Sequence, residues 1–329
     1  MPRSFNQKLK ILFLMKIFQE KTDPEHPVPV RDIITEMEGY GISVERKTVY
    51  DDIETLRTFG MDIRSRRGKK AGYYLAERTF RLPELKFLMD AVQSSKFITE
   101  EQSRNLIKKL ESLTSICEAK KLQSQVMTGQ GIKAVNEEIY TNIETIYDAI
   151  AQNRQISFRY YEWTVSKKLV QKRDGNRYHV SPGKLLWKNE NYYLLGLDEL
   201  SGVVKHYRVD KMRQVEIEGR KRNGETIFRD FDLGKFSSGT FGMFGGKEIS
   251  LKIKFDNGLI GVILDRFGQK AVILPADDSH FILQAHIHVS GQFYGWLAGL
   301  GAGAEILSPE KTRREYVDFL KETLKKYED

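Results

Sequence analysis

The sequence predicts a multidomain α+β protein, and three observations predict it. The chain has 329 residues, enough for two to four domains that each bury a core. Helix-spaced apolar residues and one short hairpin fill the chain as far as about residue 127, and short β-prone runs separated by turn residues follow. Strand-like and helix-like runs alternate at the end. We therefore expect four parts, at residues 1–78, 79–135, 136–232 and 233–329.

The first part has the order helix, helix, helix, hairpin. Apolar residues at helical spacing mark the first two helices: Leu9 to Phe18, then Ile33, Ile34 and Met37. The third helix is expected to have Ser43 as its N-cap and to end at Gly60. Its inward face has residues spaced four and three apart: Val49, Ile53 and Leu56. Two β-prone runs then surround a basic turn at residues 67–72, so the sequence predicts a winged helix-turn-helix.

The third helix and the hairpin carry the candidate DNA contacts. In a winged helix-turn-helix the third helix enters the major groove, and the hairpin meets the backbone. The side chains placed toward DNA are Arg46, Lys47, Thr48 and Tyr50 on the helix, and Arg64, Arg66, Arg67, Lys69 and Lys70 on the hairpin. The acidic residues Asp51, Asp52 and Glu54 are expected to face away from phosphate or to cap the neighbouring helix. The alternative is a solvated helix and a solvated hairpin tip.

The two middle parts differ in their periodicity. Residues 79–135 are expected to form a helical connector, in which Thr99 and Gln102 have capping-box spacing. Residues 155–209 contain five short β-prone runs, and Asp174-Gly175-Asn176 is typical of a hairpin turn. Five short strands with tight turns predict a small β-barrel.

The last part is expected to be an α/β extension that follows a Gly-rich linker at residues 237–247. Its clearest element is a final helix with Ser308 as N-cap and Pro309 at the first helical position. The apolar face of that helix is Tyr316, Phe319, Leu320 and Leu324.

Charge and cysteine content indicate the class of partner and the compartment. The net charge is +8. Residues 1–80 carry 15 Lys and Arg against 12 Asp and Glu, and residues 154–230 carry 17 against 10. Two basic blocks favour an anionic partner such as nucleic acid, although a solvated basic surface is the alternative. The single cysteine, Cys117, allows no internal disulfide, and we find neither a signal peptide nor a membrane span, so a cytoplasmic location is expected.

The segment ISVERKTVYDDIETLRTFG resembles the recognition helix of the WYL-domain transcription regulators. The positions that carry the resemblance are Ser43, Lys47-Thr48, Val49, Asp52-Ile53, Leu56 and Gly60. Many family members have Arg where this chain has Asp51, so the resemblance implies one phosphate contact fewer. It also implies a homodimer that binds a double-stranded DNA operator.

The resemblance continues to the end of the chain. The Trp-Tyr-Leu triplet of the family corresponds to Tyr192-Tyr193-Leu194, with Tyr in place of Trp. Other matching segments are Val180 to Leu185, the strand HYRVDKM in which Lys211 replaces Arg, and the terminal runs LDRFGQ and QFYGWLAGLGAGAEILSP, which resemble the family's WCX tail. The family implies an Sm-like five-stranded β-barrel that receives an anionic, nucleotide-like or nucleic-acid-like effector, and a dimerising C-terminal extension.

The candidate effector contacts follow from these residue types and the family pattern. Arginine is a planar fork suited to phosphate, and tyrosine rings stack on bases. The set is Tyr160, His179, Ser181, Tyr193, Arg208 and Lys211. The alternatives are that Tyr192, Tyr193 and Leu194 are core residues of a half-buried strand, and that Arg208 pairs structurally with Asp210 or another nearby acid.

The sequence contains none of the common catalytic motifs that we looked for. The sequence has no His-Glu-x-x-His, Gly-x-Ser-x-Gly or Cys-x-x-Cys motif, and we expect neither an enzyme nor a cofactor or metal. His286 and His288 share one face of a predicted strand and could be a pair of metal ligands, but no cysteine and no carboxylate pattern nearby supports a metal site there. The alternative function is an RNA-binding or single-strand-binding protein that uses the barrel as its main surface.

Overall fold

A computed structural model describes residues 7–124, 133–224, 228, 241 and 247–328. The chain divides into two compact units, residues 1–140 and 141–329. Helices and antiparallel sheets occur in both units, so the protein is a multidomain α+β protein. The Gly-rich linker predicted at 237–247 lies outside the described residues, except for Phe241 and Lys247, and so do Met127 and the predicted boundary at residue 232.

The first unit begins with three helices and a hairpin: α1 (Gln7–Lys21), α2 (Val30–Gly39), α3 (Arg46–Phe59), β1 (Ile63–Arg66) and β2 (Gly72–Leu75). The two strands pair antiparallel, with Ile63 opposite Leu75. Apolar residues of all five elements form one core, which includes Phe18, Ile33, Ile53, Ile63 and Leu75. One shared core fixes the hairpin relative to the three helices.

The inward face of α3 is as predicted, but its first residue is not. Val49, Ile53 and Leu56 are buried. The N-cap is Glu45, which has extended backbone angles, and residues 42–44 before it are not helical, so the prediction of Ser43 as N-cap is wrong. Ile42 enters the core. The helix ends at Gly60, whose φ of 112° is a left-handed conformation that favours glycine.

Three more helices follow in the same unit: α4 (Leu82–Ser94), α5 (Glu100–Glu111) and α6 (Ile116–Gln123). The predicted capping box is present, since the Gln102 amide donates to the Thr99 hydroxyl and the Thr99 amide donates to the Gln102 side chain. Leu85, Met89 and Leu122 form a small core between the helices. The next helix, α7 (Ile139–Ala151), crosses the boundary between the two units.

The second unit opens with an antiparallel sheet of six strands: β3 (Arg154–Trp163), β4 (Leu169–Gln171), β5 (Tyr178–Lys188), β6 (Asn191–Asp198), β7 (Val203–Arg208) and β8 (Met212–Lys221). The sheet runs β4-β3-β5-β6-β7, and β8 also pairs with β3. The described strands exceed the five predicted. Residues 174–176 do not close a hairpin, because β4 and β5 on either side of them each pair with β3.

Strands and helices then alternate along the chain: β9 (Lys247–Asp256), α8 (Ile260–Phe267), β10 (Val272–Pro275), β11 (His280–Val289), α9 (Gly291–Ala298), β12 (Ala304–Ser308) and α10 (Glu310–Leu324). The four strands form a second sheet in the order β10-β11-β9-β12. This alternation agrees with the expected α/β extension. Apolar side chains of both helices and strands form its core, including Leu251, Phe255, Leu283, Phe293 and Leu297.

The last helix starts later than predicted, and it buries fewer residues of its predicted apolar face. Ser308 is the last residue of β12, where it lies opposite Lys252, and Pro309 is the N-cap, so the predicted cap is wrong. Tyr316 and Phe319 pack against the core. The other two residues of the predicted face, Leu320 and Leu324, are exposed.

None of the helices described here combines the length and apolar character that crossing a membrane requires.

Candidate nucleic-acid interface and effector site

The N-terminal half of α3 presents its cations to solvent. Arg46 and Lys47 are exposed, whereas Thr48 and Tyr50 are half-buried. The Nε of Arg46 donates to the Tyr50 hydroxyl at 3.0 Å, and the guanidinium lies 5.7 Å from the ring centroid. This contact, one helical turn apart, orders the arginine on the outer face of the helix.

The hairpin concentrates five exposed cations between residues 64 and 70. Arg64 is held by Asp62 through bonds of 3.0 and 2.6 Å, and these bonds raise the pKa of its guanidinium. Lys70 donates to the backbone carbonyl of Glu25 at 3.4 Å. Arg67 and Lys69 are also exposed, on either side of Gly68, whose φ is 97°. These two cations lie in the turn, outside both strands.

Three contacts join α3 to the hairpin directly. The rings of Tyr50 and Tyr73 lie 6.1 Å apart, and the Nε of Arg57 donates to the Ile63 carbonyl at 2.7 Å. The Arg57 guanidinium also lies 5.8 Å from the Tyr73 ring centroid. Sequence reasoning assigned no role to Arg57 or Tyr73, because nothing in their spacing shows that they meet. They position the hairpin cations against the helix.

The acidic residues of α3 have three different environments. Asp52 pairs with Lys10 of α1 at 2.8 Å, so it faces the neighbouring helix, as expected. Glu54 pairs with Arg57 of the same helix. Asp51 is exposed and lies one turn after Lys47. The exposed cations of α3, Arg46 and Lys47, therefore both lie in its first turn.

Arg208 is the centre of the candidate effector site. It lies at the end of β7, and its Nε and Nη2 bind both oxygens of Asp210 at 3.0 and 2.8 Å. Nη2 also donates to the Asn191 side chain at 2.8 Å. Burial opposes the charge, but the bonds and charge of Asp210 outweigh it and raise the pKa of Arg208. The structural pairing with Asp210 that the sequence left open is present.

Two tyrosines and a lysine surround this arginine. Tyr193 lies opposite Arg208 in the β6–β7 register, and the Arg208 amide donates to the Tyr160 hydroxyl at 3.1 Å. Burial raises the pKa of Tyr160 to about 12, so its hydroxyl stays protonated. Burial and the nearby Arg208 lower the pKa of Lys211. Tyr160, Arg208 and Lys211 are half-buried, whereas Tyr193 is buried, as expected for a core residue of the strand. Together they form a patch that is both aromatic and cationic.

His179 and Ser181 lie at the other end of the sheet. Ser181 is opposite Leu197 on β6, four residues from Tyr193, which is about 13 Å along a strand. Its buried hydroxyl donates to Glu199 at 2.6 Å and accepts from the Asn223 amide at 2.8 Å. His179 contacts Glu218 at 2.6 Å. The structure therefore separates these two residues from the Arg208 patch.

Sequence reasoning also missed a buried carboxylate beside the sheet. Asp198 is fully buried and accepts bonds from Tyr207 at 2.8 Å and Arg173 at 2.9 Å. Ser201 binds it through both its amide and its hydroxyl. Burial disfavours the charge, but these bonds overcome it and hold the pKa of Asp198 well below its usual range. In the sequence, the only feature that could have pointed to this carboxylate is its position just before the turn Leu200-Ser201-Gly202.

Comparison with known proteins identifies both halves of the second unit. The family model described as the WYL domain matches residues 141–217, and the model described as the WCX domain matches residues 247–324. No curated protein sequence matches the chain.

Two solved structures are similar at low identity. Proteasome accessory factor B/C (PafBC) of Arthrobacter aurescens is 17% identical, with 98% of this chain and 49% of that chain covered and a TM-score of 0.29. A protein described as CRISPR Cas-related is 14% identical, with 89% and 77% covered and a TM-score of 0.38. The chain spans about half the length of the first protein. Both TM-scores are too low to support an argument, so the assignment depends on the two domain matches. The chain therefore carries a WYL domain at residues 141–217 and a WCX domain at residues 247–324.

Proposed function

We propose that the chain is a DNA-binding transcriptional regulator of the WYL family, with residues 1–78 acting as a winged helix-turn-helix. The observation that carries this proposal is the shared core of α1, α2, α3 and the hairpin, which holds the cations of α3 and of the hairpin in a fixed relation. An exposed cationic helix start beside an exposed cationic β-turn is the arrangement by which such domains bind a duplex.

The first turn of α3 supplies the base contacts in this proposal. Arg46 and Lys47 are exposed there and are long enough to reach guanine acceptors or phosphates. Thr48 and Tyr50, half-buried beside them, suit phosphate oxygens or a thymine methyl. The hairpin cations bind the backbone. Asp51, exposed one turn after Lys47, limits the approach of the second half of the helix to phosphate.

The decisive experiment compares duplex, single-stranded DNA and RNA as ligands of the full chain. The double variant Arg46→Ala and Lys47→Ala is expected to lose about 1–3 kcal/mol of specific duplex affinity for each base contact removed. The matched control is Lys108→Ala with Lys109→Ala on α5, where both lysines are exposed and the charge change is the same. Genomic fragments upstream of the gene and its neighbours, selected by footprinting, provide the duplex.

The alternative function predicts a different pattern. An RNA-binding or single-strand-binding protein that uses the WYL domain would prefer unpaired strands, and the α3 variant would bind them as well as the wild type does. That result would replace the regulator proposal.

The proposal includes a homodimer whose two DNA-binding parts contact half-sites about one helical turn apart. The outer side of α10 is a candidate contact face for the second copy, because Val317, Leu320 and Leu324 are 40, 41 and 55% exposed along one stripe. Leu320→Glu is expected to shift the sedimentation coefficient from dimer to monomer. Thr323→Glu, exposed on the same helix, is the control. A dimer that is unaffected by Leu320→Glu would exclude this face.

The proposal also includes control of operator affinity by an anionic effector at the WYL domain. Arg208 and Lys211 supply positive charge, and Tyr160 and Tyr193 supply rings. An anion would compete with Asp210 for the Arg208 guanidinium, so binding and release of Asp210 give two states that an effector can favour differently. His179 and Ser181 lie apart from this patch and contribute only if the ligand is a polymer that spans the sheet.

Nucleoside monophosphates and short single-stranded oligonucleotides are the probes for this site. Arg208→Ala is expected to weaken their binding at least about tenfold, since removal of a charged partner costs about 1.5–3 kcal/mol. Arg220→Ala, on the exposed end of β8, is the matched control. Equal affinity of the Arg208→Ala variant and the wild type would show that the site lies elsewhere.

A further inference from the structure

Three metal-ligating side chains meet in the first unit, although they are far apart in the sequence. Asp23 and His26 lie in the turn between α1 and α2, and Cys117 lies in the first turn of α6. A carboxylate oxygen, an imidazole nitrogen and the thiol sulfur of these residues all lie within 4.8 Å of one another. Asp23 is buried, whereas His26 and Cys117 are exposed, so the cluster is open to solvent on one side.

The turn already holds two of the three side chains in place. Asp23 Oδ1 accepts from the amides of Glu25 and His26 at 2.9 and 3.0 Å, and its Oδ2 accepts from the Ser115 hydroxyl at 2.5 Å. The Nδ1 of His26 lies 2.8 Å from Asp23 Oδ1, so the imidazole faces the carboxylate. Ser115 is also the N-cap of α6, which brings Cys117 to the same place.

The donor set selects a class of metal ion. Thiolate, imidazole and carboxylate together are the ligands of Zn²⁺ and chemically similar ions, whereas Mg²⁺ and Ca²⁺ prefer oxygen alone. Tetrahedral zinc with these ligands needs donor atoms about 3.3–3.6 Å apart, given bond lengths of about 2.0–2.3 Å. Separations of up to 4.8 Å would have to shorten by at most about 1.5 Å, and the 2.8 Å between His26 Nδ1 and Asp23 Oδ1 would have to lengthen. Rotation of the two exposed side chains can supply both changes.

We propose that Asp23, His26 and Cys117 form a three-ligand site for a zinc-class divalent cation, with the remaining coordination position open to water. A bound ion ties the α1–α2 turn, which belongs to the predicted DNA-binding part, to α6 of the helical connector. Binding displaces the thiol proton of Cys117 and the contact between His26 and Asp23. The site does not depend on the proposed function, because its test measures metal binding alone.

Cobalt and zinc are the probes, and the full-length chain is the sample. Wild-type protein with Co²⁺ is expected to give the thiolate-to-cobalt charge-transfer band and tetrahedral d–d bands, with a single ion per chain. Cys117→Ser is expected to lose the charge-transfer band, and His26→Gln is expected to weaken Co²⁺ binding at least about tenfold. Both residues are exposed, so the variants are expected to fold. His286→Gln, an exposed histidine on β11, is the control.

A second measurement uses Cys117 as the only cysteine of the chain. Zn²⁺ is expected to slow the reaction of its thiol with dithiodipyridine at least about tenfold, Mg²⁺ is expected to have no effect, and His26→Gln is expected to abolish the protection. The proposal is overturned if Co²⁺ gives no thiolate band, if Cys117→Ser retains the band, or if Zn²⁺ protects the thiol equally well in the His26→Gln variant.

Discussion

The hairpin tip offers the sharpest quantitative test of the proposed DNA contact. Arg67 and Lys69 are exposed on either side of Gly68, and their replacement by alanine disturbs no buried group. The other three hairpin cations have partners within the fold: Arg64 with Asp62, Arg66 with the Tyr74 ring and Lys70 with the Glu25 carbonyl. The double variant Arg67→Ala and Lys69→Ala therefore removes charge and little else.

The magnitude follows from counterion release. Each phosphate that a cation neutralises contributes about 0.9 to the slope of log K against log salt, so the double variant is expected to lower the slope by about 1.8. When the salt concentration rises fourfold, from 50 to 200 mM, the ratio of wild-type to variant affinity for the duplex should then fall about tenfold. Arg64, with a carboxylate already in place, should contribute less to the slope when replaced.

Fluorescence anisotropy with a mixed-sequence duplex across that salt range measures the slope, since phosphate contacts do not depend on sequence. The control is Lys325→Ala with Lys326→Ala, which removes the same charge from an exposed segment after α10. If the hairpin variant keeps the wild-type slope, the hairpin does not contact phosphate. If both variants lower the slope equally, net charge explains the effect and the geometric reasoning is refuted.

Three further predictions concern stability. Ile53→Ala should lower the free energy of unfolding by about 2–5 kcal/mol, because Ile53 is almost fully buried in the core that joins α3 to the hairpin; a smaller loss in urea unfolding would contradict that packing. Gly196→Ala should cost about 1–3 kcal/mol, because the added Cβ would lie 2.4 Å from Val180 Cγ1, and an unchanged midpoint would count against the close approach. Asp198→Asn should destabilise the protein at neutral pH. Because folding depresses the pKa of Asp198, its contribution is present above about pH 4 and is lost as the pH falls through the folded-state value, so the difference between wild type and variant should shrink in acid; a constant difference would refute this reasoning.

The sequence predicted much of the first unit because its signals are local. The spacing of Val49, Ile53 and Leu56 marked the buried face of α3, and Gly60 marked its end. The N-cap was predicted wrongly because Ser43 satisfies the rule for residue type, whereas in the structure Ile42 beside it packs into the core and the helix starts after Glu45. Residue preference indicates where a helix is permitted to start, and packing selects the start.

The candidate effector residues show the limit of this reasoning. Tyr193 and Arg208 were grouped correctly in space, because consecutive antiparallel strands joined by a short turn place them opposite each other. Ser181 was grouped with them by residue type, although the register of β5 on β6 places it at the other end of the sheet. Residue type indicates what a side chain can bind, and register decides which side chains share a site.

The sequence by itself determined the order of the elements, the inward face of α3, the basic hairpin and the resemblance to WYL and WCX domains, since these depend on the periodicity and identity of neighbouring residues. Only the tertiary structure decided which distant residues meet: Arg57 with the Ile63 carbonyl, and Cys117 with the turn at Asp23 and His26. The physical reason is that packing of separate elements on a common core fixes such contacts, and the sequence alone does not show how those elements pack.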